Sequence, residues 1–290
     1  MPNPTETDTA PGAPQAGFAL VVVLWIVALL ALQTSVFSLS VRDAGALAGN
    51  ELAMARGEAL AAAGVELAAA RLTDADAAAR WHADGSAREV ALDGARIRIR
   101  ITDEAGRFDI NALDGEVLDA LLRPNGGSTA ALTEWADRNG PLLDPSELGR
   151  AAGLPVDAVL ALAPYLTVHG GDGRINPAVA PREALLMLPG ADPAEIDRAL
   201  RLGRQGGAQA EDIARALGSV DKWLTGRTGP AYRIEVAVHG ESVPAIGWAE
   251  ATVLLGRDAA APFRVLSWRY EPQVWPQMQP QMQPQMQDVR

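Results

Sequence analysis

The sequence predicts an α+β fold, in which a long N-terminal helix precedes an antiparallel sheet and a large all-helical insert interrupts the strands. Residues 17–41 contain no charged side chain. Residues 96–101 and 232–238 alternate between apolar and polar side chains, which is typical of half-buried strands. Between them, prolines divide the chain into short helical segments. The predicted order is therefore helix, strands, helical insert, strands.

Residues 18–41 are predicted to form a membrane-spanning helix. At about 1.5 Å per residue they reach roughly 36 Å, and a hydrocarbon core is about 30 Å thick. A helix buried in a soluble core rarely stays uncharged on every face over that length. The alternative is a secretory signal peptide cut near Ala44-Gly45-Ala46, but residues 1–17 lack the positive charge that precedes such a segment.

The helix is predicted to continue past the membrane over residues 42–73. This segment contains no proline up to Leu72 and is rich in alanine, the best helix former. Four glycines interrupt it, each costing about 1 kcal/mol relative to alanine. Glycine also lets a packing partner approach closely, and these positions are Gly45, Gly49, Gly57 and Gly64.

Composition excludes several classes of function. The formal net charge is −11 and the single lysine is Lys222, which disfavours a nucleic-acid partner because phosphate binding requires clustered cations. The chain has no cysteine, so disulfides and thiol catalysis are excluded. His82, His169 and His239 lie far apart, without a nucleophile, zinc or phosphate-loop motif. A non-enzymatic protein is predicted.

The sheet is predicted in two parts, over residues 74–110 and 226–271. In the first part Asp93-Gly94 supplies a tight turn, after which Ile97, Ile99 and Ile101 face one way and the intervening arginines the other. In the second part the strand period returns over residues 232–238, 249–255 and 263–270.

The helical insert is predicted over residues 111–225. Its short helices are expected at 115–122, 132–138, 145–152, 155–162, 181–188 and 193–202. Residues 148–155 and 185–192 resemble helix-hairpin-helix units of the kind found in SAM-like domains, in which a glycine lets backbone N–H groups approach a phosphate. Asp192 and Glu195 follow the second hairpin and would repel one. Residues 1–16 and the Met/Gln/Pro-rich tail at 272–290 are predicted to be disordered.

The N-terminal segment resembles the type IV pilin-like proteins. In that family prepilin peptidase removes a leader ending in glycine and methylates the new N-terminus, which implies a leader at 1–17, cleavage after Gly17 and methylation of Phe18. Nearly all members have a glutamate at the fifth mature position, which here is Val22. That glutamate pairs in the membrane with the amine of the preceding subunit, because an unpaired charge there is costly. A subunit without a predecessor has no such amine to neutralise.

Three further segments resemble the type II secretion system protein K family, the minor pseudopilins that lack this glutamate. They are the Asp-Glu-Ala-Gly-Arg-Phe-Asp-Ile-Asn block at 103–111, Ile175-Asn176-Pro177, and the closing strand at 263–269 with its Trp268-Arg269. The resemblance covers residues 17 to about 270. It implies a pilin-like fold, with the long helix packed on the sheet. The 103–111 block also fits a surface turn capped by Asp109 or Asn111.

The resemblance implies a single-pass inner-membrane protein with a periplasmic ectodomain, at the tip of the pseudopilus, where it initiates assembly and supports export across the outer membrane. The implied partners are secretion proteins I and J, the major pseudopilin, the inner-membrane assembly platform and, as processing enzyme, prepilin peptidase. Two alternatives stay open: a membrane-tethered nucleic-acid receptor that uses the hairpin glycines, and a minor pilin of a type IV pilus.

Calcium is the one cofactor that the sequence suggests. Relatives in the protein K family can bind calcium in their helical region, and this chain offers oxygen ligands at Asp137, Asn139, Asp144 and Glu147. The spacing is not that of an EF-hand. The competing interpretation is a capped turn without a metal.

Overall fold

The computed structural model describes residues 15–204, 210–240, 247–258 and 261–272. Within the first helix it describes side chains at 20–34, 37, 48–49 and from 51 onward. The tails predicted at 1–16 and 272–290 fall almost entirely outside this part of the chain. Residues 15–55 form one compact unit, and the described residues from Arg56 onward form a second.

The described helices and strands follow the predicted order. The helices are α1 Gln15–Leu72, α2 Gly115–Leu122, α3 Thr129–Asn139, α4 Leu148–Ala152, α5 Val156–Leu162, α6 Arg182–Leu186, α7 Pro193–Arg204 and α8 Ala210–Ala216. The strands are β1 Asp84–Leu92, β2 Ala95–Asp103, β3 Phe108–Asp109, β4 Leu166–Thr167, β5 Ala231–Gly240, β6 Gly247–Asp258 and β7 Ala261–Pro272.

The main sheet of the described residues has five strands in the order β1-β2-β5-β6-β7, and each neighbouring pair is antiparallel. The long gap in sequence between its second and third strands contains the helices α2 to α8. Mixed helix and antiparallel sheet confirm the predicted α+β class.

The β1–β2 turn has the predicted form. Asp93 and Gly94 both have positive φ, at 48° and 70°, which is the backbone of a two-residue hairpin turn matched to strand twist. Asp93 also forms an ion pair with Arg56 of α1, at 2.9 Å. The turn therefore sets the register in which Val90 lies opposite Ile97.

The second unit buries the C-terminal part of α1 against one face of the sheet. Leu60, Ala61, Val65 and Ala68 share a core with the three isoleucines of β2 and with apolar residues of β5 and β6. A Cβ added at Gly64 would lie 2.8 Å from Val236 Cγ1, so this position requires glycine for close approach. The other side chains of this core are Ile97, Ile99, Ile101, Ile234, Val236, Val238, Ala249, Ala251 and Val253.

The insert has a separate apolar core and is not all-helical. Its helices α2, α3 and α5 lie within a few residues of the predicted segments, and the predicted 145–152 helix divides into a 3₁₀ turn, Pro145–Glu147, followed by α4. The all-helical prediction is not confirmed, because β4 lies inside the insert and pairs in parallel with β3. Buried Phe108 and Leu166 face each other there, and their backbone groups need partners.

Among the helices in the part of the chain that the structure describes, none is long and apolar enough to cross a membrane.

Candidate functional site

The residues predicted for processing and assembly lie near the start of α1. Gly17 and Phe18 are helical, but the side chain of Phe18 falls outside the described set. Val22 is helical and 40% exposed. The predicted span at 18–41 extends at both ends beyond the continuous stretch of described side chains, 20–34. Cleavage, methylation and the membrane span stay predictions.

Residues 20–32 of α1 present an apolar surface in every direction around the helix. Each large hydrophobic side chain there is at least as exposed as Val22, and Trp25 reaches 72%. At 3.6 residues per turn, this run covers more than three turns without a polar stripe until Gln33. Water solvates a surface of this kind poorly.

The 103–111 block lies at the end of β2, where the sheet meets the helical region. Asp103 caps the 3₁₀ turn Glu104–Gly106, accepting from Ala105 N at 2.9 Å. The same carboxylate accepts from Gly229 N at 3.0 and 2.8 Å, which ties the exit from β2 to the entry of β5.

Glu104 is the centre of a buried ion network. It is fully buried and accepts two bonds from Arg233 of β5, Nε–Oε1 at 2.9 Å and Nη2–Oε2 at 3.4 Å. Arg107 Nε lies 3.4 Å from the same Oε1. Because a buried charge needs both an opposite charge and hydrogen bonds, these two arginines permit the burial of Glu104.

The network extends across the sheet face that points away from α1. Arg233 Nη1 lies 3.6 Å from Glu250, and Arg100 Nε lies 3.7 Å from Glu235. Glu235 and Glu250 are directly opposite each other on β5 and β6. With Glu104 and Arg107 included, three carboxylates meet three guanidinium groups, so the cluster is balanced in charge.

Burial shapes the electrostatics of this cluster. Desolvation, and then the neighbouring Glu250, raises the pKa of Glu235. Desolvation also raises the pKa of Asp103, although its two backbone N–H donors act in the opposite direction. Burial and the nearby Arg233 lower the pKa of Arg107, which nevertheless stays a cation.

The remainder of the block joins the sheet to the helical region. Arg107 Nη1 donates to Pro164 O at 2.7 Å, just after α5. A Cβ added at Gly106 would lie 2.7 Å from Val179 O, so the backbone of the insert passes directly over this glycine. Both positions of the motif are therefore explained by contacts.

Asp109 caps a local turn as predicted, but it is buried and not on the surface, and both Asp109 and Asn111 make longer contacts. Asp109 accepts from Asn111 N at 3.1 Å and also from Gly171 N at 2.7 Å. Asn111 donates to Leu142 O and accepts from Leu142 N, both at 2.9 Å. Each side chain thus connects a local turn to a distant loop of the insert.

Asn176, in the Ile175-Asn176-Pro177 segment, closes the junction. Its side chain is fully buried, donates to Arg227 O at 2.8 Å and accepts from Ala178 N at 2.9 Å. Its own N–H donates to Ala105 O at 2.7 Å. One residue therefore connects the turn after β2, the insert and the segment that leads into β5.

The two predicted hairpins form, with Gly153 and Gly190 in the left-handed region at φ 74° and 77°. Around the second hairpin, Asp192 accepts from Ala194 N at 2.8 Å and Arg182 forms a bidentate pair with Asp197, at 2.6 and 3.1 Å. Arg182, which lies just before this turn in sequence, is thus engaged with a carboxylate.

The calcium candidates are used locally. Asn139 donates to Trp135 O at 2.8 Å, Asp144 accepts from Ser146 N at 2.8 Å, and Glu147 accepts from Leu143 N at 2.8 Å. Asp137 is exposed on α3. The structure brings Asp144 and Glu147 onto one turn, but the described residues include no group of three His, Cys, Asp or Glu side chains that could hold a metal.

Sequence reasoning missed the ionic partners of Glu104. Arg233, Glu235 and Glu250 read as the ordinary solvent-facing residues of alternating strands. The available signal was the cluster of charges at Asp103, Glu104 and Arg107. The sequence does not show which charges meet, because that depends on the cross-strand register.

Only the comparison of structures finds a similar protein. No protein-family model matches the chain, and no curated protein matches it significantly. It is similar to a chain of a solved GspK–GspI–GspJ complex. That complex is from the type 2 secretion system of enterotoxigenic Escherichia coli. The match has a TM-score of 0.46 and 14% sequence identity, and covers 80% of this chain and 99% of that chain. The functional assignment rests on this chain's own residues.

Proposed function

We propose that this protein is a non-enzymatic, membrane-anchored assembly subunit, a minor pseudopilin of the type II secretion system. The observation on which the proposal rests is the all-round apolar surface of α1 over residues 20–32, in a helix that continues to residues buried against an antiparallel sheet. A helix of this kind serves as an anchor before assembly and as a packing element afterwards. The protein K-like segments at 103–111 and 175–177 support the same assignment.

Processing follows from the start of this helix. Prepilin peptidase removes residues 1–17 and methylates the amine of Phe18. The ectodomain, from about residue 42, then lies in the periplasm while α1 is held in the inner membrane. We expect no nucleic-acid partner, since the net charge of −11 opposes phosphate binding.

The tip position follows from Val22. A glutamate at this place would need the amine of a preceding subunit, because an unpaired charge within the membrane is strongly unfavourable. Valine removes that requirement, so the subunit initiates the fibre instead of adding to one. The partners are then secretion proteins I and J, followed by the major pseudopilin and the inner-membrane assembly platform.

N-terminal mass spectrometry tests the proposal. The chain is isolated from membranes of cells with and without active prepilin peptidase, together with a Gly17→Leu variant. We expect a methylated Phe18 start only when both the peptidase and Gly17 are present. An intact N-terminus or a cut near Ala46 in peptidase-positive cells contradicts the proposal.

Co-purification separates the two machines that use such subunits. Recovery of secretion proteins I and J with the processed chain supports a type II secretion system. Recovery of pilus subunits instead favours the type IV pilus alternative.

A further inference from the structure

The described residues from Arg56 onward contain two apolar cores that share no residue. One core consists of the C-terminal part of α1 with β2, β5 and β6. The other runs from Phe108 through the helices of the insert to Leu224. Phe108 and Leu224 are the first and last members of the second core, and the chain crosses between the cores at residues 102–107 and 225–233.

Ionic contacts lie between the cores, beside the hydrogen bonds of Asn176 and the close approach of Val179 O to Gly106. Glu104 pairs with Arg233 on the sheet side, and Arg107 connects the same carboxylate to Pro164 O on the insert side. Arg233, Glu104, Arg107 and Pro164 therefore form a chain of charge-assisted contacts from β5 to the turn after α5, in a balanced cluster. We call these four residues the joint.

Both covalent connections between the cores pass beside the joint and are bonded to each other. Asp103 on the first connection accepts from Gly229 N on the second. Asn176 binds Ala105 O on the first and Arg227 O on the second. Two regions with separate cores move relative to each other unless the interface between them is large and apolar. Here the interface is polar where the chain crosses it.

We propose that the joint is a conformational latch: while Arg107 holds Pro164 O, the helical region is fixed on the sheet, and release of this bond lets the region reorient while both cores stay folded. Arg107 is the movable part, because its bond to Pro164 O is made by a side chain and reaches the end of α5, whereas the bonds of Asn176 hold the two connections to each other. Glu104 holds Arg107 in place. Loss of Glu104 leaves two largely buried cations, Arg107 and Arg233, to repel each other.

Pulsed electron spin resonance on the full chain in detergent micelles tests the latch. The chain has no cysteine, so spin labels at Ala161→Cys on α5 and Ser267→Cys on β7 report a single distance. Both positions are exposed. We expect one narrow distance distribution in the parent, and a distribution about twice as wide or shifted in Arg107→Met and in Glu104→Gln, as for a hinge between folded bodies.

Arg98→Met is the matched control. Arg98 also pairs with a carboxylate, Glu89, at 2.8 Å, but both lie on the sheet. We expect this variant to leave the distance distribution unchanged. Widening in Arg98→Met equal to that in Arg107→Met would overturn the proposal.

Hydrogen exchange of the unmodified chain keeps the test independent of how the variants fold. We expect the amides of Asn176 and Gly229 to exchange at least about tenfold faster than those of Ile99 and Leu185, one from each core, because the joint opens before either core does. Exchange of all four at one rate would show a single cooperative unit and would overturn the latch. Neither the spin-label distances nor the hydrogen exchange depends on secretion. Failure of the latch proposal therefore leaves the proposed function standing.

Discussion

Among single residues, Glu235 shows most directly how burial tunes a charge. Its side chain is 22% exposed, and it lies opposite Glu250 on the neighbouring strand. Burial and that neighbour raise its pKa, so the folded state binds a proton more tightly than the unfolded state does. The stability that protonation gives is present below the ordinary pKa of 4.5 and is lost as pH rises through the raised value.

Glutamine at position 235 is neutral at every pH, so the substitution removes this loss of stability at high pH. We expect Glu235→Gln to melt at a higher temperature than the parent at pH 7, and at the same temperature below about pH 4, where both side chains are neutral. Thermal unfolding followed by circular dichroism across this range measures the difference.

Glu89→Gln is the control with the opposite sign. The hydrogen bond that Arg98 donates lowers the pKa of Glu89. The ionised carboxylate therefore stabilises the fold at pH values above the ordinary glutamate pKa, and this stability is lost as pH falls through the lowered pKa. This variant is expected to melt no higher than the parent at pH 7. A lower melting temperature for Glu235→Gln at pH 7 would mean that its pairing with Arg100 outweighs desolvation.

Gly64 shows how a single missing side chain permits helix–sheet packing. An added Cβ would lie 2.8 Å from Val236 Cγ1, whereas one at Gly49 meets nothing within 4 Å. We expect Gly64→Ala to lose about 1 kcal/mol of unfolding free energy, since overpacking exceeds the gain in helix propensity. Gly49→Ala is expected to lose none. Denaturant titration compares the two variants, and equal stability of both would refute the packing role of Gly64.

At the scale of elements, Asn176 connects segments that are far apart in sequence. Its buried amide bonds Arg227 O and Ala178 N. Asn176→Ala leaves both groups without these partners and creates a small cavity, so we expect a loss of about 3 kcal/mol. Asn139→Ala, which removes one bond on the exposed end of α3, is expected to cost about 0.5 kcal/mol. Comparable losses in the two variants would show that the junction contributes no special stability.

The β1–β2 hairpin and the short helices are the elements most readable from sequence. Asp93-Gly94 forms the expected turn, and the isoleucine side of β2 faces the core. The division of residues 145–152 and the pairing of β3 with β4 were not predicted, because two-residue strands have no period to detect.

At the scale of the whole molecule, Val22 decides where the subunit can stand in a fibre under the proposed function. Val22→Glu is expected to be tolerated or only mildly harmful, because position 22 lies near the start of the predicted span and a protonated carboxyl there carries no charge to bury. Secretion assays and co-purification of proteins I and J measure the effect. Complete loss of the complex would show that the apolar side chain itself is required.

Local order explains what the sequence alone determined: the α+β class, the long first helix, the hairpin and the alternating faces of β2 and β5. These features depend on the spacing of apolar residues and on glycine and proline, which act over a few neighbours. The tertiary structure alone decided that Glu104 meets Arg233, that Asn176 binds both connections, and that charged groups lie between the two cores. Those contacts join residues more than fifty positions apart, and only strand register and the path of the insert determine which of them come together.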